Sequence, residues 1–260
     1  MPSGTLSYQN NKLHFVRYGT GKRLLLAFHG SGQDASFFAA LARKVGETFT
    51  IIAPDLPEHG KTSWRGAITK VALITLCERF KVEFDVDKFS LLGYGIGSRF
   101  VLTLAEQRSE WIDGAFLWAA ADLQPKPWYG PEARNPLGKR IFRQLASAPE
   151  TGLRYLSAAK NVKLLKKSNF AYMKRVLENE GFRKALSVDT SLTKNIVPEL
   201  DKVRWQLKKY AIPTIIYIPA DAPEDEVKQA EKFIKKLPAA RVEPIPSENL
   251  LDHIASQLKP

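Results

Sequence analysis

"LLGYGIGSRF", residues 91–100, decides how the rest of the chain is read. The stretch leading into it, FSLLGYG (89–95), has no alternating polar face, as suits a strand covered on both sides. Glycines at alternate positions, Gly93, Gly95 and Gly97, permit a sharp turn and close backbone contact. From Ser98 the apolar spacing becomes helical, SRFVLTLAEQR (98–108), so the chain passes from strand through a glycine turn into a helix.

Working outward, the same alternation continues. LHFVRY (13–18), RLLLAFHG (23–30), FTIIAPD (49–55) and IDGAFLWAA (112–120) have strand character. Between them DASFFAALARKVGE (34–47), with Asp34 as N-cap, and ITKVALITLCERF (68–80) have helical spacing. After about Asp122 the pattern changes. PKPWYGPEARNP (125–136) is a proline- and glycine-rich loop, and Leu137 to about Tyr210 is helical and basic with no strand-like run. Strand and helix signals resume with IPTIIYIPA (212–220), EDEVKQAEKFIKKL (224–237), RVEPIP (241–246) and NLLDHIASQL (249–258). This pattern predicts an α/β class protein with a mostly parallel central sheet flanked by helices. Residues 1–122 and 211–260 make the core, and 123–210 make an inserted all-helical, basic cap.

The chain has 260 residues, 44% hydrophobic and 25% charged, as expected of a globular protein with one substantial core. It contains no run of about 18 apolar residues, so no transmembrane segment is expected. No secretory signal is visible, and a cytoplasmic protein is the default expectation. Its one cysteine, Cys77, excludes an intramolecular disulfide and a cysteine-based metal cluster. The net charge is +12, and the segment 139–209 holds 17 Lys/Arg against 6 Asp/Glu, a local surplus of +11. That segment is a candidate surface for an anionic partner, set against the plainer reading of a solvated lysine-rich face.

FHGSGQ (28–33), PDLPEHGKTSW (54–64) and LLGYGIGS (91–98), in this order, resemble the motifs of the α/β-hydrolase family. The helical insertion resembles that family's cap, and the closing IPTIIYIPAD and RVEPIPSENLLDH resemble the strands that deliver its acid and its histidine. The resemblance covers nearly the whole chain and implies an esterase- or lipase-like ancestry. In that family the turn after the central strand reads G-x-S-x-G, with serine as nucleophile and the triad in the order Ser, Asp/Glu, His. Here the frame reads Gly93-Tyr94-Gly95-Ile96-Gly97. Gly95 has no side chain to attack a carbonyl, and Ser98 falls almost one turn into the helix. The acid position maps to Asp221, equally well a plain turn residue. The histidine position maps to Glu248 or Asn249, neither a good general base, and His253 lies one turn further on as the alternative base. Because the histidine frame has changed as well as the serine frame, the pattern is one of natural triad loss.

The resemblance also implies an oxyanion site from the backbone N–H groups of Ser31 and Ile96, with His29, Gly30, Tyr94 and Gly95 around it. For His29-Gly30, and for Asp55 with His59-Gly60, loop geometry alone is the competing reading. The expected function is a degenerate hydrolase that binds a small acyl or ester-like ligand, or a partner, without turnover. An active enzyme using His253 or Asp221 as base, and a scaffold acting through the basic segment, remain alternatives. A dinucleotide-binding turn fits poorly. The glycines are not spaced G-x-G-x-x-G, Asp122 comes too late for the ribose acid, and Asp113 begins its strand when it should end it. No cofactor and no metal are expected.

Overall fold

A computed structural model of the chain describes residues 2–120, 123, 148–161, 174, 177–178, 192–222, 224–245 and 250–258. The strands are β1 (Ser3–Tyr8), β2 (Asn11–Tyr18), β3 (Arg23–Phe28), β4 (Phe49–Pro54), β5 (Phe89–Tyr94), β6 (Ile112–Trp118), β7 (Thr214–Pro219) and β8 (Ala240–Ile245). They form one eight-stranded sheet in the order β1-β2-β4-β3-β5-β6-β7-β8. From β4 to β8 every pairing is parallel, whereas β2 runs antiparallel to both β1 and β4. The predicted strands all form.

β1 is an addition to the predicted set. It pairs with β2 from Ser3↔Val16 to Tyr8↔Asn11, leaving Gln9 and Asn10 as a tight turn with Gln9 at φ 52°. No residue of β1 is fully buried. An edge strand of this kind lacks the continuous apolar run that marks the inner strands.

The helices are α1 (Ala39–Val45), α2 (Lys70–Glu83), α3 (Gly97–Gln107), α4 (Pro149–Asn161), α5 (Leu200–Lys209), α6 (Glu224–Ile234) and α7 (Leu250–Leu258), and those other than α4 cover the two faces of the sheet. Asp34 caps a 3-10 turn, Ala35–Phe38, that precedes α1, by accepting from the Ser36 N–H (2.8 Å). Thr69 caps α2 by accepting from the Ala72 N–H (3.1 Å), so that helix begins slightly later than its apolar spacing suggests. Along each inner strand, alternate residues feed two separate cores. Leu26, Leu91, Leu117 and Ile216 pack with Leu76, Phe100, Val203 and Phe233 from α2, α3, α5 and α6. Leu25, Leu92, Phe116 and Ile215 pack with Phe38, Leu41, Ile254 and Leu258 on the other side.

Of the interval 123–210 expected as a cap, 124–147, 162–173, 175–176 and 179–191 lie outside the described residues. The part from Leu192 onward packs on the core. Leu192 accepts from the Ile68 N–H (2.8 Å), Thr103 Oγ1 donates to the Ile196 carbonyl (2.6 Å), and Arg99 Nη1 donates to Thr193 Oγ1 (2.8 Å). Val203 and Leu207 of α5 are buried in the same core as α3. Among the described residues no helix is long and apolar enough to cross a membrane.

Tyr217 on β7 is fully buried, and among the described residues its hydroxyl has no hydrogen-bond partner. Burial raises its pKa. A buried hydroxyl without a partner loses its hydration and gains nothing in return. Tyr217→Phe is therefore expected to leave urea-unfolding stability unchanged or to raise it by up to about 1 kcal/mol. A clear loss of stability would mean that the hydroxyl does have a partner, such as a bound water.

Candidate functional site

The turn between β5 and α3 is built by backbone contact. A Cβ on Gly97 would stand 2.1 Å from the Phe28 carbonyl oxygen, and one on Gly93 would stand 2.6 Å from Ser98 Cα. These two glycines let the first turn of α3 rest directly on the ends of β3 and β5. Gly95 is different. It has φ +52°, yet the nearest atom to a Cβ there is Gly30 Cα at 3.9 Å. The position has room for a side chain and only the left-handed backbone favours glycine. Gly95 donates its N–H to the Trp118 carbonyl (2.9 Å) and accepts from the Ser98 N–H (3.2 Å). Ser98 is buried, with its Oγ donating to the Gly93 carbonyl (2.9 Å), so its hydroxyl is engaged with the strand.

Facing this turn is the loop after β3, tied down by a knot of buried polar groups. Leu56 N–H donates into His29 Nε2 (2.9 Å), which puts the ring proton on Nδ1, where it is given to the Gly30 carbonyl (2.8 Å). His29 is fully buried, and burial lowers its pKa to about 4. Asp55, also buried, accepts from His14 Nδ1 (2.8 Å), the Ala35 N–H (2.8 Å) and the Lys61 N–H (2.8 Å). His59 sets its ring edge-on to His29 at 5.2 Å, with its Nε2 toward the Gly32 N–H (3.4 Å). His29, Asp55 and His59 thus hold the loops after β3 and β4 together. His14, from β2, is the member that sequence reasoning missed. Forty-one positions separate it from Asp55, and only the antiparallel pairing of β2 with β4 brings them side by side.

Tyr94 lies across the same loop. A Cβ on Gly30 would meet its ring at 2.6 Å. The Tyr94 ring stacks on Trp118 (3.9 Å between centroids) and on Phe37 (5.3 Å), making a partly exposed aromatic wall beside the turn. Gly30, Tyr94, Gly95 and Ile96 are therefore gathered in one place, with Ser31 following Gly30. Neither the Ser31 nor the Ile96 N–H donates to a backbone carbonyl among the described residues.

The other candidates have their own surroundings. Asp221 is exposed in the turn after β7, and Asn249 lies outside the described residues. His253, on α7, gives Nε2–H to Glu243 Oε1 on β8 (2.7 Å), while Arg241 Nε donates to Oε2 (3.2 Å). Glu243 is a partner that the sequence did not announce. Asp113 sits at the start of β6 and accepts from Ser90 Oγ (2.6 Å), away from the end where a dinucleotide turn needs its acid. Among the described residues no group of three or more His, Cys, Asp or Glu is placed to hold a metal ion.

Solved structures match this architecture along almost its full length. An α/β-hydrolase enzyme from a Medee basin deep-sea metagenome library superposes with TM-score 0.65 at 12% identity, covering 98% of this chain and 95% of that one. The thioesterase domain from the curacin biosynthetic pathway gives 0.64 at 16% identity over 99% and 98% of the two chains. The chain has the α/β-hydrolase fold. A thermophilic esterase from Thermogutta terrifontis shares that hydrolase fold with TM-score 0.63 at 19% identity over 99% and 98%. Curated sequences match only part of the chain. An uncharacterized protein of Mycobacterium tuberculosis is 28% identical over 106 residues, 40% of this chain and 31% of that protein. The dihydrolipoyllysine-residue acetyltransferase component of the acetoin cleaving system of Cupriavidus necator is 28% identical over 95 residues, 36% of this chain and 25% of that protein. The matches thus span about a third or less of the length of these relatives. No protein-family model matches the chain.

Two predictions follow from the geometry of the turn and the loop. Gly97→Ala drives a methyl into the Phe28 carbonyl and is expected to cost at least ~3 kcal/mol, whereas Gly95→Ala costs only the left-handed strain of about 1–2 kcal/mol. Paired urea melts will show this contrast, and equal losses would contradict it. The second concerns acid. His29 stays neutral in the fold down to about pH 4 but takes up a proton near 6.5 when unfolded. Its contribution is intact above pH 6.5 and is lost as pH falls toward 4, a drop of about 3 kcal/mol in total. Unfolding free energies measured across that window should fall more steeply in the wild type than in His29→Gln.

Proposed function

We propose that this protein is a binding member of the α/β-hydrolase fold that has lost serine-hydrolase activity. Its ligand is a small acyl or ester-like molecule, held with its carbonyl oxygen on the N–H groups of Ser31 and Ile96. The supporting observation is Gly95, a residue without a side chain at φ +52° at the centre of an otherwise complete turn. Oxyanion donors on the backbone survive loss of the catalytic side chains, and a rigid loop keeps them aimed. The Tyr94, Trp118 and Phe37 rings supply the apolar wall such a ligand needs. Binding proceeds with no acyl-enzyme, because Gly95 has no side chain at the position where the nucleophile would stand.

The expected outcome is no hydrolysis of p-nitrophenyl acetate through octanoate by the wild type, and none by Gly95→Ser. Turnover by the wild type that disappears in His253→Ala or Asp221→Ala would replace this reading with that of an active enzyme. Binding is tested with methyl ketones of matching chain length by ligand-observed NMR. Ile96 sits at φ −65°, an angle open to proline, so Ile96→Pro removes the N–H, with far-UV circular dichroism and a thermal melt checking that the turn after Gly95 tolerates the ring. That variant is expected to stay folded and to lose at least about tenfold in affinity.

A second reading has its own observation. The surplus of +11 between residues 139 and 209 supports docking of an anionic partner, independent of the turn at Gly95.

A further inference from the structure

The described end of the basic segment carries an exposed aromatic and cationic surface. Trp205, midway along α5, and Tyr210, at its C-terminal cap, are 59% and 40% exposed, unusual for residues of that size. Lys209 Nζ lies 5.0 Å from the Trp205 ring and 5.1 Å from the Tyr210 ring, so one ammonium bridges both. The cations earlier in the helix are neutralised locally, Lys202 by Glu199 and Arg204 by Asp201. Among the described residues no ion pair joins Lys208 or Lys209 to a carboxylate. Their charge sits at the negative end of the helix dipole, which stabilises it there.

Topology separates this surface from the turn at Gly95. α5 ends where β7 begins, and β5, β6 and β7 are parallel. The patch therefore lies at the edge of the sheet where the strands start, and Gly95 at the edge where they end. A six-residue strand puts roughly 20 Å between the two edges. A partner held here leaves the site at Gly95 uncovered.

We infer that the C-terminal half of α5 and its cap, with Trp205, Lys208, Lys209 and Tyr210, docks on an anionic lipid bilayer. The inference rests on the anionic-partner reading above and names its class. Two features favour a bilayer over a nucleic-acid strand. Indole and phenol rings flanked by lysines suit the headgroup layer, where an apolar ring and a polar tip are both accommodated. Stacked bases need open ring faces, and here Lys209 occupies a face of each ring. The surplus of positive charge in the same stretch of sequence adds long-range attraction to anionic headgroups, so binding is salt-sensitive.

The test is flotation of the full chain with phosphatidylcholine vesicles and with vesicles that also contain phosphatidylserine. The protein is expected to float only with the latter and to be released by added salt. The double variant Lys208→Gln/Lys209→Gln should partition about thirtyfold more weakly, and Trp205→Ser should also weaken partitioning, with both melting as the wild type does. Unchanged partitioning of these variants, or equal flotation with both vesicle types, overturns the inference. Binding of a single-stranded oligonucleotide with no flotation also overturns it but leaves the anionic-partner reading standing. Binding to neither vesicles nor oligonucleotide removes both.

Discussion

The first turn of α3 sits against the end of β3 with only backbone between them. Gly97 makes this approach feasible, since any Cβ there would overlap the Phe28 carbonyl oxygen. The contact fixes where the helix starts, how closely it covers β3 and β5, and hence where Phe100, Val101 and Leu104 enter the core. It also sets the shape of the turn at Gly95. That shape is inherited from packing and does not depend on which residue occupies position 95. A sequence can exchange a nucleophile for glycine here and keep the site's architecture, because the neighbouring glycines carry the constraint. At the same time, glycine at φ +52° removes a strain that a serine would have to bear.

Across from the turn, Asp55 does comparable work by electrostatic means. A buried carboxylate is costly unless its oxygens are satisfied. Asp55 meets that demand with donors from β2, from the 3-10 turn before α1 and from its own loop. Three separate parts of the chain are thereby locked around one charge. His29 adds a neutral bridge between the loops after β3 and β4. The loop that presents Gly30 and Ser31 is consequently rigid without any help from a ligand. Such preorganisation is what a backbone oxyanion site requires, whether or not chemistry follows.

Much of this was legible from residue order. Inner strands declare themselves because both faces are buried and the apolar run is unbroken, as in FTIIAP and TIIYIP. β1 was hidden because its six residues are exposed or half-buried and include two serines, a glycine and a threonine. The segment after Leu192 has helical spacing wherever it packs, so spacing alone could not assign Val203 and Leu207 to the core beside α3. In the site, the frame around Gly95 could be read directly because the motif is local. Partnerships over distance could not. His14 with Asp55 and His253 with Glu243 join residues from different elements, and each carboxylate's partner depends on strand register or helix placement.

β8 forms one border of the sheet, next to β7 alone. Its sequence, ARVEPI, places Pro244 in the strand and keeps Arg241 and Glu243 paired with each other and with His253. Proline offers no N–H to an incoming strand, and a paired charge at the rim is costly to dehydrate. The border is therefore a poor template for another chain, and two copies gain little by joining their sheets there. The molecule's apolar interior continues up to that margin at Ile245, yet the margin itself is closed to growth.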